Sequence, residues 1–249
     1  LKSSTPNNLA MVVDELLVAL EALSIPKRKE HNPKFFKAGK GEYAEGDKFI
    51  GNKVPDMRTV AKDFAPKMTD AGFVQGLHSE WHELRLTVLF MMIIQYKKAK
   101  KDPVRREEII QIYLNNLEGV NNWDLVDSSA PYLLGDWLMD KDRQLLRDFA
   151  TSGNLWKQRI AMVTTYWFIK KGEYNDTLEL AEILLFHKHD LIHKAVGWML
   201  REMGNKNEDL LRQFLKHHAH HMPRTALRYS IEKLDAEERQ HWMTAKDRV

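Results

Sequence analysis

Asp190-Leu191-Ile192-His193-Lys194-Ala195-Val196-Gly197-Trp198-Met199-Leu200-Arg201-Glu202-Met203 is the stretch whose reading settles the fold class. Turned at about 100° per residue, it gathers Ile192, Ala195, Val196, Met199 and Met203 into one core-facing stripe. Lys194, Trp198 and Arg201, spaced i, i+4 and i+7, fall roughly 120° or more from the centre of that stripe. The spacing predicts an amphipathic helix. Working outward, the same 3.6-residue rhythm recurs along the chain, broken by Glu118-Gly119, Ser152-Gly153-Asn154 and Gly204-Asn205-Lys206. Helices are expected at 7–23, 55–68, 80–99, 103–117, 122–134, 137–149, 154–170, 174–186, 190–203, 207–218, 222–232 and 235–245. Alternating runs of Val, Ile and Thr, which mark strands, are absent. The chain is expected to be all-α.

From about Trp81 onward the helices come in pairs. Starts near Asn122, Leu155, Asp190 and Pro223 are separated by 33, 35 and 33 residues. A near-constant period in this range marks stacked helical hairpins, and neither the tetratricopeptide nor the ankyrin consensus fits. A HEAT-like α-solenoid of stacked antiparallel helix pairs with a concave groove is therefore expected; a helical bundle without true repeats is the alternative. One domain spanning 1–249 is expected, interrupted by a Gly-rich loop at about 33–54 that holds Gly39, Gly41, Gly46 and Gly51.

Composition narrows the function classes. Hydrophobic residues make up 43% of the 249, enough for a sizeable core. The chain has no cysteine, which excludes disulfides, thiolate-held iron–sulfur clusters and Cys-based zinc sites. The most apolar run, Leu86 to Ile94, is far shorter than the ~20 residues a bilayer span needs. Leu1-Lys2-Ser3-Ser4-Thr5-Pro6 shows no secretory apolar region. A cytoplasmic protein without a membrane partner is expected.

Net charge is only +3, so any preference for an anionic partner must come from clustering. Superposing the first helices of the repeats gives a column of Arg85, Asp127, Arg159, Lys194 and Arg224, four basic and one acidic. Such a face suits a polyanion, although charge by itself favours reading it as a solvated surface. Aromatic residues tilt the reading. Trp198 falls between Lys194 and Arg201, and Trp123 lies one helical turn before Asp127, away from Leu125, Val126 and Leu133. Trp156 and Trp167, on apolar stripes, are expected in the core. A flat indole suits a sugar, a base or an organic cation, and basic residues hold phosphates. A lone carboxylate in such a groove repels phosphate but stabilises positive charge developing on a deoxyribose ring as its glycosidic bond breaks.

Val54-Pro55-Asp56-Met57-Arg58, Glu83-Leu84-Arg85-Leu86-Thr87, Asn121-Asn122-Trp123-Asp124-Leu125-Val126-Asp127, Trp156-Lys157-Gln158-Arg159-Ile160-Ala161 and His193-Lys194-Ala195-Val196-Gly197-Trp198 resemble the AlkD-type DNA alkylation repair glycosylases, from about Gly51 to the C-terminus. The resemblance implies a HEAT-like solenoid cradling duplex DNA and hydrolysis of the N-glycosidic bond of cationic alkylpurines such as 7-methylguanine and 3-methyladenine. It implies Asp127 as the catalytic carboxylate, Trp123 and Trp198 as the groove tryptophans and Arg159 as the groove arginine. Lys194, Arg201, Arg85, Arg224, Arg228, Arg58 and Tyr43 complete the expected DNA-contacting set. An alkylated purine already carries positive charge, so departure needs no general acid, and the resemblance implies that the base need not be flipped into a pocket. No cofactor is called for, and one groove requires only a monomer. The alternative function is a non-enzymatic HEAT-like scaffold binding nucleic acid or a protein partner.

Other residues carry less. His217-His218-Ala219-His220-His221 resembles a metal tract, but no further ligand completes it, so no metal site is expected. Asp124 lies off the groove face and is expected to serve solvation or capping.

Overall fold

A computed structural model describes residues 6–245; the N-terminal stretch Leu1 to Pro6 lies almost wholly outside them. The chain divides into two compact units, Leu1–Ser129 and Ala130–Val249. The protein is all-α: among the described residues the only β pairing is an isolated bridge between Lys48 and Trp81.

In the first unit, α1 (Pro6–Glu21), α3 (Val54–Phe64), α4 (Asp70–Leu77) and α6 (Pro103–Asn115) pack around α5 (His82–Lys98). Every residue of α5 from His82 to Ile93 is buried, so this helix is the axis of the core. Side chains start the neighbouring helices: Thr69 Oγ1 accepts from the Gly72 amide at α4, and Asp102 accepts from the Arg105 amide at α6, where Pro103 needs no partner. The unit ends in α7 (Trp123–Ala130).

Two helices of this unit escaped the sequence reading. The first is α2 (Pro26–Phe35), in a stretch where no helix was expected and whose end falls in the loop expected at about 33–54; it has no apolar stripe, because Asn32 is its only buried residue. The other, α4, falls between the helices expected at 55–68 and 80–99, and its Gly72 and Gly76 lie on its packed side.

Glycine is required where α2 begins. Gly51 adopts φ +94°, and a Cβ there would lie 2.7 Å from both the Ile25 carbonyl oxygen and the Lys29 amide nitrogen. The loop from 37 to 53 is pinned to the start of α5, where the Lys48 amide donates to the Glu80 carbonyl and the His82 amide to the Lys48 carbonyl, both at 2.9 Å.

The second unit opens with a π-turn at Pro131–Gly135, as Pro131 lacks the amide an α-helix needs. Then follow α8 (Gln144–Thr151), α9 (Leu155–Lys170), α10 (Asn175–Leu184), α11 (Asp190–Gly204), α12 (Glu208–His218), α13 (Arg224–Ser230) and α14 (Ala236–Met243). The helix expected at 137–149 starts only at Gln144.

Alternate helices form layers: α9 packs on α11 and α11 on α13, while α8 packs on α10. Within pairs, α9 meets α10, α11 meets α12 and α13 meets α14. Starts at Leu155, Asp190 and Arg224 keep the repeat seen in sequence. On α11, Ile192, Ala195, Val196, Met199 and Met203 are fully buried, as their stripe required. Gly197 sets the α11–α13 approach, since a Cβ there would fall 2.5 Å from the Ala226 carbonyl oxygen and from Tyr229 Cβ.

Candidate DNA-contacting and catalytic residues

Trp123 and Asp127 occupy consecutive turns of α7, so their side chains share one face. Both are half-buried, whereas Leu125 and Val126 on the other side are fully buried. The start of this helix is fixed to the interior of the first unit by four successive residues. Asn121 Oδ1 accepts from Arg85 Nη2 at 3.1 Å, and Asn122 Nδ2 donates to the Phe36 carbonyl at 3.4 Å. The Trp123 indole lies nearly parallel to Phe36, centroids 5.6 Å apart, and edge-on to Phe35 at 5.9 Å. Asp124 Oδ2 accepts from His82 Nε2 at 2.8 Å. The capping role expected of Asp124 is thus secondary to an internal ion pair.

Beneath this helix start lies a compact charge cluster. His82, 1% exposed, also donates from Nδ1 to Asp47 Oδ2 at 3.2 Å, and Arg85 Nη2 reaches the same oxygen at 2.7 Å. Burial alone would lower the His82 pKa, but the charge and hydrogen bond of Asp124, followed by the bond from Asp47, outweigh it and push it up to about 9. Two carboxylates therefore face two cations. Next to them Glu83, also buried, accepts from Asn32 Nδ2 and from the Ile50 and Gly51 amides, tying α2 and the loop to α5.

Arg85 corrects the expected basic column. At 4% exposure, with Nη1 on the Ser79 carbonyl and Nη2 on Asp47, it is an interior ion-pair partner and no phosphate contact. A carboxylate from the distant loop draws it inside. Exposed cations stand instead on α2, where Lys27, Arg28 and Lys34 make no ion pair among the described residues. Lys27, Arg28, His31, Asn32, Phe35 and Phe36 line a groove of about 570 Å³. Arg58 is exposed, its guanidinium 4.1 Å over the Phe90 ring, and Tyr43 is half-buried in the loop.

In the second unit Arg159 is 5% exposed and donates from Nη1 to the Leu191 carbonyl. Trp198 is half-buried 6.0 Å from Tyr166, and its Nε1 donates to Glu202 Oε1 at 3.1 Å. Burial, with the charge of Glu202 adding, raises the Tyr166 pKa. The cations flanking Trp198 are neutralised: Lys194 pairs with Asp190 at 2.8 Å, and Arg201 pairs with Glu202 and Glu232. Arg224 is exposed and donates to the Met243 carbonyl at 2.6 Å, and Arg228 is exposed. Trp156 and Trp167, expected in the core, are half-buried.

In the histidine tract, His218 meets Glu182 at 3.2 Å and His221 meets His220 at 2.8 Å. Among the described residues no group of three or more His, Asp or Glu is placed to hold a metal ion. Nor is any described helix long and apolar enough to cross a membrane.

A family model for DNA alkylation repair enzymes matches residues 16–234. The chain belongs to that family. A solved structure described as a predicted DNA alkylation repair enzyme from Enterococcus faecalis has the same fold, with a TM-score of 0.69 at 15% identity, covering 86% of this chain and 97% of that one. No curated protein matches.

For this member of the DNA alkylation repair enzyme family, sequence reasoning missed His82, Asp47 and Phe36, which hold α7 in place. Their only signal lay in composition: a Gly-rich loop that carries Asp47 and Phe49 inward just past the exposed Gly46. It also missed α2, whose signal was Pro26 at a first helical position followed by Lys27-Arg28-Lys29.

Proposed function

We propose that the protein is a DNA glycosylase hydrolysing the N-glycosidic bond of cationic N-alkylated purines, 7-methylguanine and 3-methyladenine among them, in duplex DNA. It acts as a monomer on duplex DNA, through helices repeated in the HEAT-like manner. Alkylation at N7 or N3 makes the purine a good leaving group, so it departs neutral with the bonding electron pair. The sugar is left oxocarbenium-like. Asp127 opposes that charge and orients the water that adds to C1′, whose proton passes to solvent. Trp123 packs against the sugar face, and Trp198 and Arg159 are further residues proposed to contact the DNA. Arg224, Arg228, Arg58 and Tyr43, together with the exposed cations of α2, contact the backbone, and Lys194 and Arg201 join them by exchanging their carboxylate partners for phosphate. The damaged base stays at the surface and is not drawn into an enclosed pocket.

Besides family membership, one observation carries this reading. Trp123 and Asp127 share a half-buried face of a helix whose first turn is anchored in a buried ion-pair cluster. A carboxylate held that way can stabilise charge without reorganising.

Incubating the protein with methylated duplex and separating the freed bases by chromatography tests it. Release of 7-methylguanine is expected, with Asp127→Asn slower on the order of 10²–10³-fold while duplex binding persists. Unchanged release by Asp127→Asn would refute the assigned role. A parent protein that binds duplex yet frees no base would instead fit the scaffold alternative.

A further inference from the structure

His82 has no place in the chemistry just described, yet it is among the most constrained side chains of the first unit. It opens α5, is 1% exposed, and bonds through each ring nitrogen to a carboxylate from a different segment: Asp47 of the loop and Asp124 of α7. Ionised carboxylates only accept hydrogen bonds, so both ring nitrogens must carry hydrogen, and the ring is the imidazolium. One face of that ring meets Phe36 at 4.5 Å, and Phe36 in turn stacks on Trp123. Two routes therefore run from His82 to the Trp123–Asp127 face, one through the carboxylate beside Trp123 in the chain and one through the phenyl ring between them.

We propose that protonated His82 is the positioning residue of the Trp123–Asp127 site, holding the first turn of α7 by its bond to Asp124 and the Trp123 indole by its packing on Phe36. The inference rests on the glycosylase reading for its effect on rate, but its effect on Trp123 stands apart from it.

The charged groups facing His82 are Asp47 from the loop, Asp124 from α7 and Arg85 from its own helix; Glu83, its neighbour, is engaged by Asn32 and the Ile50 and Gly51 amides. Loss of the His82 proton sets a ring lone pair against a carboxylate; Asp47 keeps its pair with Arg85, whereas Asp124 loses the one cation it pairs with among the described residues. The helix start then loosens, and Trp123 and Asp127 move together. A misplacement of about 1 Å at a reacting group lowers rate on the order of 100-fold, so an effect on turnover larger than on binding is expected.

The test is fluorine NMR on protein labelled with 5-fluorotryptophan, the Trp123 resonance being identified by its loss in Trp123→Phe. In the parent the resonance should titrate near pH 9, with the group it reports on. In His82→Gln it should be displaced at pH 7 and should not titrate. In parallel, release of 7-methylguanine should fall on the order of 10–100-fold at saturating duplex, with duplex affinity unchanged. A Trp123 resonance identical in parent and variant overturns the proposal, as does a displaced resonance with an unchanged rate in an active parent. A parent that frees no base refutes the glycosylase reading alone, and the resonance then decides whether His82 sets Trp123. Asp124→Asn, which keeps an acceptor for His82, is judged by the same two measurements should His82→Gln not fold.

Discussion

His82 Nε2 and Asp124 Oδ2 lie 2.8 Å apart inside the first unit, joining the opening residue of α5 to the opening turn of α7. The pair makes stability depend on pH in a definite direction. The His82 pKa is raised from 6.5 to about 9, so the folded state holds this proton more tightly than the unfolded chain. The resulting stabilisation is complete below about pH 6.5 and is lost as pH rises through about 9.

Urea unfolding of the parent at pH 6 and pH 9.5 should therefore differ by about 3 kcal/mol from this group. His82→Gln should be less stable at pH 6 and nearly flat between the two. An equal decline in both proteins would show that other groups govern this range.

Arg85 and the cations of α2 should behave in opposite ways. Arg85→Ala leaves Asp47 buried with less compensation and is expected to lower unfolding free energy by about 3–5 kcal/mol, with the salt dependence of duplex binding by the folded fraction unchanged. The double variant Lys27→Ala/Arg28→Ala removes exposed side chains and should alter stability by no more than about 0.5 kcal/mol. Its plot of log affinity against log salt should be shallower, by roughly 0.9 for each phosphate that is no longer neutralised. Fluorescence anisotropy with a labelled duplex reads the slopes. Parallel slopes for parent and double variant would remove α2 from the interface.

Gly197→Ala should loosen the seam between α11 and α13. The added Cβ meets a backbone carbonyl and a neighbouring Cβ at 2.5 Å, and neither can swing aside like the tip of a flexible side chain. A loss of about 1–3 kcal/mol in urea unfolding is expected from such overpacking. Because Trp198 is the next residue, its fluorescence should also change. A variant as stable as the parent would mean that the two helices separate at little cost.

These cases show why parts of the molecule were legible in sequence and others were not. The α11 stripe needed only neighbours three and four residues away, and all five of its expected core residues are buried. The face shared by Trp123 and Asp127 followed from the same local geometry. Periodicity cannot show when a distant segment supplies a partner. Asp47 and Asp124 lie 35 and 42 residues from His82, and Glu232 lies 31 from Arg201. Arg85 therefore joined a column of surface cations on paper, while Asp47 holds it in the core. Helix α2 was invisible for a related reason: its one inward side chain, Asn32, bonds to Glu83, 51 residues later.

Glu83 gives the last prediction, because it accepts three hydrogen bonds that have no substitute. Its Oε1 takes the Asn32 amide at 3.0 Å and the Gly51 amide at 2.9 Å, and its Oε2 takes the Ile50 amide at 2.9 Å. Glu83→Gln keeps the shape but replaces one acceptor oxygen with an NH2 group, which must face a backbone or side-chain donor whichever way the amide is turned. A buried donor left opposite another donor costs about 1–3 kcal/mol, and the charge-assisted strength of the remaining bonds is lost as well. The damage should be local, because α2 and the loop are held to α5 through these bonds and through the close approach at Gly51. Hydrogen exchange should accordingly speed up at the Ile50 and Gly51 amides and along α2, while amides in α9 and α11 exchange as in the parent. Exchange that stays slow at Ile50 and Gly51 would mean that the backbone pairing at Lys48 and the Ile25–Gly51 approach suffice to hold the loop, and that Glu83 is not the latch its three bonds describe.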